Sequence, residues 1–249
     1  MNSSLDVVLL RSPDDETPDR YVAALGRAGL RAVCEPVLAF SFPRSAELRD
    51  RLASSDRYAG LIATSPRVAT ALDWAVADRD AFVKHWGGRR AYAVGPKTAA
   101  RLRALGLQPH GAETGSAQAL AACIVDDAPS GPLLFLSGNR RRDTLPEALR
   151  NADVPFEELV VYETHPRIEL DLPTPDGAPW LVFFSPSGLE AVEAQYENSL
   201  DEYRLAAIGP TTGKTLAKAG HSVEAVAGSP SPDGLVAALR EASPESSGG

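Results

Sequence analysis

Four short stretches bring hydroxyls and free backbone amides to places where an anion can be held. "TSPRV" (64–68) and "FSPSG" (184–188) set Ser65 and Ser185 directly before a proline, with Ser187 just behind it in the second. "GPKT" (95–98) and "GPTT" (209–212) set Thr98, and Thr211 with Thr212, just behind Gly-Pro. In each stretch an apolar run ends and a helical pattern begins. Proline suits the first helical turn, where its missing N–H costs nothing, and serine before it is a good N-cap. Gly95 and Gly209 are expected to supply tight turns. A helix start offers unpaired N–H groups and the positive end of the dipole, which favours carboxylates and phosphates. The bland reading of any one motif is a well-made strand-to-helix turn. Four motifs in two matched pairs favour a site.

The pairing extends further. "AVGPKTAARLRALG" (93–106) returns as "AIGPTTGKTLAKAG" (207–220), and "LIATSPRVATAL" (61–72) as "LVFFSPSGLEAV" (181–192). "GSAQALAACI" resembles "SPDGLVAAL", and the opening "VVLLRSPDDETPDRYVAALGRAGL" has a looser echo in "LLFLSGNRRRDTLPEALRNADV". A duplicated α/β domain is the simplest explanation, since the period is far too long for a solenoid.

Other chemistry is poorly signalled. The sequence has no GxSxG, no GxGxxG after a strand and no Cys-His set, and the glycine and lysine spacing of "GPTTGKT" is wrong for a phosphate loop. The four histidines are scattered and the two cysteines, Cys34 and Cys123, lie far apart, so no metal site is expected and the thiols read as free in a reducing cytosol. "GNRRRDTLP" (138–146) gathers basic residues, either as a solvated loop before a helix or as a cationic patch. Tyr162 closes an apolar run, as a core tyrosine with its hydroxyl at the rim does. The net charge of −8 argues against a nucleic-acid binder but not against a small anionic ligand.

The elements that must position these residues follow from hydropathy. "DVVLL" (6–10), "GLIAT" (60–64), "RAYAV" (90–94), "PLLFL" (132–136), "ELVVY" (158–162), "WLVFF" (180–184) and "RLAAI" (204–208) read as strands buried on both faces. Amphipathic segments such as "DRYVAALGRAG" and "SGLEAVEAQY" separate them, which gives an α/β class with parallel sheets. No apolar run reaches the eighteen or so residues of a membrane span. The N-terminus reads as a first strand rather than a signal peptide. The residue pattern alone also admits two consecutive domains split near residue 128.

Taken together, "LIATSPRVA", "AVGPKTA", "LLFLSGNRRRDTLPEAL", "VVYET", "FFSPSGLEA" and "AIGPTTGKTLAKAG…SPSPDGLVAAL" resemble the uroporphyrinogen-III synthase family over about residues 5–240. The resemblance implies two similar flavodoxin-like parallel-sheet domains joined by a two-stranded linker, with the active site in the interdomain cleft. The crossings would be 34–42 and 159–167, the first domain 1–36 plus 166–243, the second 40–161, and 244–249 a flexible tail. It implies a lyase that cyclises hydroxymethylbilane, a linear tetrapyrrole with eight carboxylates, through a spiro intermediate with inversion of the last ring. No cofactor or metal is implied. By motif, Tyr162, Thr211 and Thr212 would be catalytic. Ser65, Thr98, Ser137, Gly138, Asn139, Arg140, Ser185, Ser187 and Gly209 would bind substrate. A cytoplasmic monomer is expected, with the preceding pathway enzyme as a possible donor of substrate and neither nucleic acid nor membrane as partner. The competing reading is a non-catalytic two-domain binding or regulatory module.

Overall fold

The structure, a computed structural model, describes residues 5–14, 17–173, 177–196 and 200–243. It forms two compact units: Met1–Ala39 with His165–Gly249, and Phe40–Thr164. The proposed tail 244–249 lies outside the described residues. Strands β1 (Val7–Leu10) and β2 (Ala32–Cys34) flank helix α1 (Arg20–Arg27), and β3 (Leu38–Ser41) leads into the second unit. There follow α2 (Ser45–Ala53), β4 (Gly60–Ala63), α3 (Pro66–Ala75), α4 (Arg79–Trp86), β5 (Arg90–Ala93), α5 (Pro96–Ala104) and β6 (Gln108–His110). Helix α6 (Ala117–Asp127), β7 (Leu133–Gly138), α7 (Thr144–Asn151) and β8 (Phe156–Pro166) complete that unit. The chain returns through β9 (Trp180–Phe183), α8 (Pro186–Tyr196), β10 (Arg204–Ala207), α9 (Pro210–Lys218), β11 (Val223–Val226) and α10 (Pro232–Ala242).

The first unit's sheet runs β11-β10-β9-β1-β2, every neighbouring pair parallel. Its first strand lies inside, the second outside it, and the later three on the other side, which is the flavodoxin order. The second unit repeats this as β8-β7-β4-β5-β6, with β3 added beyond β8. Here the β7–α7–β8 segment takes the place of β1–α1–β2, although it comes last in the chain. That permutation explains why the opening echo in the sequence falls midway along it.

The central strands bury both faces. In β1, Val8 and Leu10 pack with Leu189, Val192 and Leu216 of α8 and α9, while Val7 and Leu9 pack with Tyr21, Leu25, Leu235 and Leu239 of α1 and α10. In the second unit, Leu61 and Ala63 meet α2, α3, α4 and α5, and Ile62 meets α6 and α7. Each fully buried Val or Leu side chain contributes about 1.5–3 kcal/mol, so continuous apolar runs select this two-faced burial. The short strands β2, β3, β6 and β11 lack such runs. Cross-strand pairing forms them, and as strands they were absent from the hydropathy reading.

Local chemistry starts the helices. Ser65, Ser116 and Ser231 cap α3, α6 and α10 by accepting a backbone N–H, and Pro66, Pro96, Pro210 and Pro232 occupy the first turns of α3, α5, α9 and α10. Asp19 caps α1. It accepts from the amides of Tyr21 (2.9 Å), Val22 (3.2 Å) and Asp14 (2.7 Å), and faces Arg11 at 3.2 Å. Burial pushes the Asp19 carboxyl up, but the three amides and Arg11 outweigh it and hold its pKa below the usual carboxylate value. A depressed folded-state pKa stabilises above the unfolded-state value of about 3.9 and is lost as pH falls through the folded-state value. Asp19→Ala is therefore expected to destabilise by about 1–3 kcal/mol at neutral pH. In urea titrations, the gap between wild type and variant should close as pH drops below about 3.9.

Candidate functional site

In an open parallel sheet, ligands bind at the carboxyl edge where the strand order reverses. That point falls between β1 and β9 in the first unit and between β7 and β4 in the second. The sequence-derived residues collect at these carboxyl edges. Ser65, Thr98, Asn139 and Arg140 follow β4, β5 and β7, Ser137 and Gly138 end β7, and Tyr162 lies in β8 opposite Gly138. Ser185, Ser187, Gly209, Thr211 and Thr212 follow β9 and β10.

In the second unit, Ser65 is an N-cap whose Oγ accepts from the Arg67 amide at 3.3 Å. Gly95 precedes α5 at φ +79°, a left-handed conformation that favours glycine. Thr98 is buried in the first turn of α5 at 3% exposure, and among the described residues its hydroxyl meets no hydrogen-bond acceptor or donor. A register shift between Ser137 and Gly138 pairs Gly138 with Tyr162. The Tyr162 ring packs on the unit's core and lies across Gly138, where a Cβ would come within 2.3 Å of its Cζ and 2.6 Å of its hydroxyl oxygen. Asn139 then ties β8 beyond that pair: its amide donates to the Tyr162 carbonyl (3.2 Å), and its Oδ1 accepts from the Thr164 amide (2.8 Å).

The basic loop divides by role. Arg141 grips Glu158 with two nitrogens, one at 2.7 Å, and Ser137 donates to the same carboxylate at 2.6 Å. Burial pushes Glu158 up, but Arg141 and Ser137 outweigh it and hold its carboxyl below the usual range. The Ser137 hydroxyl, in a residue 1% exposed, thus faces the sheet and fixes the Gly138 turn. Arg140 is exposed.

In the first unit, the Ser185 and Ser187 hydroxyls hydrogen-bond each other at 3.1 Å. Thr212 is 5% exposed, and among the described residues its hydroxyl, like that of Thr98, has no hydrogen-bond partner; Thr211 is exposed. Gly209 lies at φ 179°, extended backbone open to any residue, so it is not the tight-turn glycine the sequence led us to expect. A Cβ there would meet open space, so Gly209 leaves the helix start uncovered.

Two rim residues escaped the motif reading. Arg11 follows β1 with its guanidinium near the Tyr21 and Phe184 rings (5.1 and 5.2 Å) and pairs with Asp14 and Asp19. Arg67 lies on the face of Phe40, 3.6 Å from the ring centroid. The signal that could have found them is strand order: both follow strands at the reversal points.

Several known proteins are similar to this chain. The family model described as "Uroporphyrinogen-III synthase HemD" matches residues 19–237. A Schizosaccharomyces pombe protein named uroporphyrinogen-III synthase is 31% identical, with 94% of this chain and 96% of that protein covered. One of the same name from Saccharomyces cerevisiae is 32% identical over 61% of this chain and 63% of its own length. Among solved structures, uroporphyrinogen-III synthetase from Helicobacter pylori shares the fold with a TM-score of 0.63 at 18% identity, covering 96% of this chain and 99% of that one. A mutant of the Thermus thermophilus enzyme does so with a TM-score of 0.53 at 17% identity, covering 95% and 98%.

The contact of Tyr162 with Gly138 yields a direct check. Gly138→Ala should destabilise by about 1–3 kcal/mol through overpacking. In a Tyr162→Leu background the same change should cost much less, giving a non-additive double-mutant cycle in chemical denaturation. Additive costs would place the ring elsewhere.

Proposed function

The chain belongs to the uroporphyrinogen-III synthase family, and from that premise we propose that it closes hydroxymethylbilane to uroporphyrinogen III, inverting the last pyrrole ring on the way. The hydroxyl leaves the first ring's hydroxymethyl carbon with help from that ring's nitrogen. The last ring attacks the exposed carbon through its substituted position, and the spiro intermediate fragments and recloses with that ring turned over. Unguided substrate closes without the turn. Catalysis is therefore mainly control of geometry by orientation and fixed dipoles.

The substrate's carboxylates suit helix starts such as those of α3, α5, α8 and α9. Tyr162 acts on the departing hydroxyl. Its ring is fixed by the core and by Gly138, and its phenolic O–H is a hydrogen-bond donor suited to the departing oxygen. Thr98 and Thr212, the matched buried threonines, offer the substrate hydroxyls that have no hydrogen-bond partner among the described residues. Asn139 and the Arg141–Glu158–Ser137 group hold the turn that places Tyr162. Among the described residues no helix is long and apolar enough to cross a membrane. Cys34 and Cys123 are unpaired. We place the enzyme in the cytoplasm as a monomer.

The observation that carries the catalytic reading is the seating of Tyr162 on Gly138 at the carboxyl edge of β7 and β8. Its test is initial rate and product isomer ratio with freshly generated hydroxymethylbilane. Tyr162→Phe should slow turnover at or below the low end of general-acid effects, about a hundredfold, with folding intact. Wild-type turnover in that variant would leave Tyr162 a core residue; retained turnover with uninverted product would make it a holder of the last ring. Thr212→Val should lower kcat/KM by roughly ten- to a hundredfold with little change in Tm, and unchanged activity would reduce Thr212 to a turn residue.

A further inference from the structure

Arg67 is a cation kept where its surroundings disfavour one. It is the second residue of α3, at the positive end of the helix dipole, where cations are destabilising. Burial pushes its guanidinium below the ordinary arginine value; Tyr162 opposes that shift and Arg101 adds to it. Among the described residues no carboxylate pairs with it. The turn itself does not call for a cation. Ser187 occupies the matching place in "FSPSG", and the same strand-proline-helix turn forms there. Nor is Arg67 a loose surface chain, because the ring of Phe40 covers one face of its guanidinium at 3.6 Å. Stacking of that kind leaves the N–H edge of the plane available for a two-pronged grip on a carboxylate. Thr98, whose hydroxyl has no partner among the described residues, lies in the first turn of the adjacent helix α5.

We infer that Arg67 binds a carboxylate of the tetrapyrrole, anchoring one acidic pyrrole beside Tyr162 and distinguishing that end of the substrate from the other. This rests on the reading of the chain as a uroporphyrinogen-III synthase and adds a specificity-determining contact to it. An anion at Arg67 offsets burial, dipole and Arg101 together, and without one the residue is a cost to the fold.

The test uses Arg67→Met, which keeps an apolar stem on Phe40, and Arg67→Lys, which keeps charge but loses the planar fork. The measurements are kcat, KM and isomer ratio with hydroxymethylbilane, Tm, and Kd for an octacarboxylate porphyrin and for a tetracarboxylate one in which the acetates are methyls. Arg67→Met should raise KM and the octacarboxylate Kd by roughly ten- to a hundredfold. Its Tm should be unchanged or higher, since an unpaired half-buried charge has been removed. Arg67→Lys should recover part of the affinity. Wild-type KM and octacarboxylate Kd in Arg67→Met would overturn the inference, as would an affinity loss matched by a fall in Tm, the mark of a structural role. Failure of the wild type to form the inverted isomer would instead sink the family reading, and because porphyrin binding needs no turnover the two failures are told apart.

Discussion

A parallel sheet sends every strand-to-helix turn to its carboxyl edge, and most of what this protein can do follows from that constraint. Right-handed crossovers leave the helices little choice of side once strand order is fixed. In the order β11-β10-β9-β1-β2, and again in β8-β7-β4-β5-β6, the winding reverses once, so the helix starts on either side of the reversal diverge and leave a crevice. The apolar runs of β1, β4, β7 and β9 bury both faces, which makes the edge rigid. The Ser-Pro and Gly-Pro turns lie on that edge because no other place is open to them.

What the sequence makes legible is the local chemistry. Central strands stand out because two-sided burial demands unbroken apolar residues. Ser65 and Pro66 announce a helix start because capping and the fixed proline φ act within three residues. The edge strands are silent for the opposite reason: β6 is Gln-Pro-His and β11 is Val-Glu-Ala-Val, short segments whose strand character comes from one neighbour. Gly209 misled because glycine next to proline suggests a special backbone angle, whereas its φ is extended and its value lies in the absent side chain. Ser137 and Arg67 were hardest to read. Their roles depend on Glu158 and Phe40, each more than twenty positions away, and only the folded sheet brings those partners in.

The chain's net charge of −8 also needs reconciling with a polyanionic substrate. Charges farther apart than about 8–10 Å are largely screened at physiological ionic strength, so local neutrality matters more than the total. At the rims the acids already have partners. Asp14 and Asp19 meet Arg11, and Glu158 meets Arg141 and Ser137. Beside these paired acids lie the helix starts and Arg67, with which no carboxylate pairs among the described residues.

Duplication explains the matched turns, but identical halves would be poorly suited to a reaction that treats one end of its substrate differently. The copies diverge at the positions that touch the edge. Arg67 answers Ser187, left-handed Gly95 answers extended Gly209, and Ser137, bonded to an acid, answers Arg11, which pairs with two. Tyr162, over its glycine, lies within the longest strand of the second sheet, while β2, the counterpart of that strand in the first, is three residues long and ends at Cys34. The shared frame supplies anion-accepting helix starts in both units. The differences leave Tyr162 and Arg67 at the carboxyl edge of the second unit and Arg11 at that of the first, so the two edges are not interchangeable.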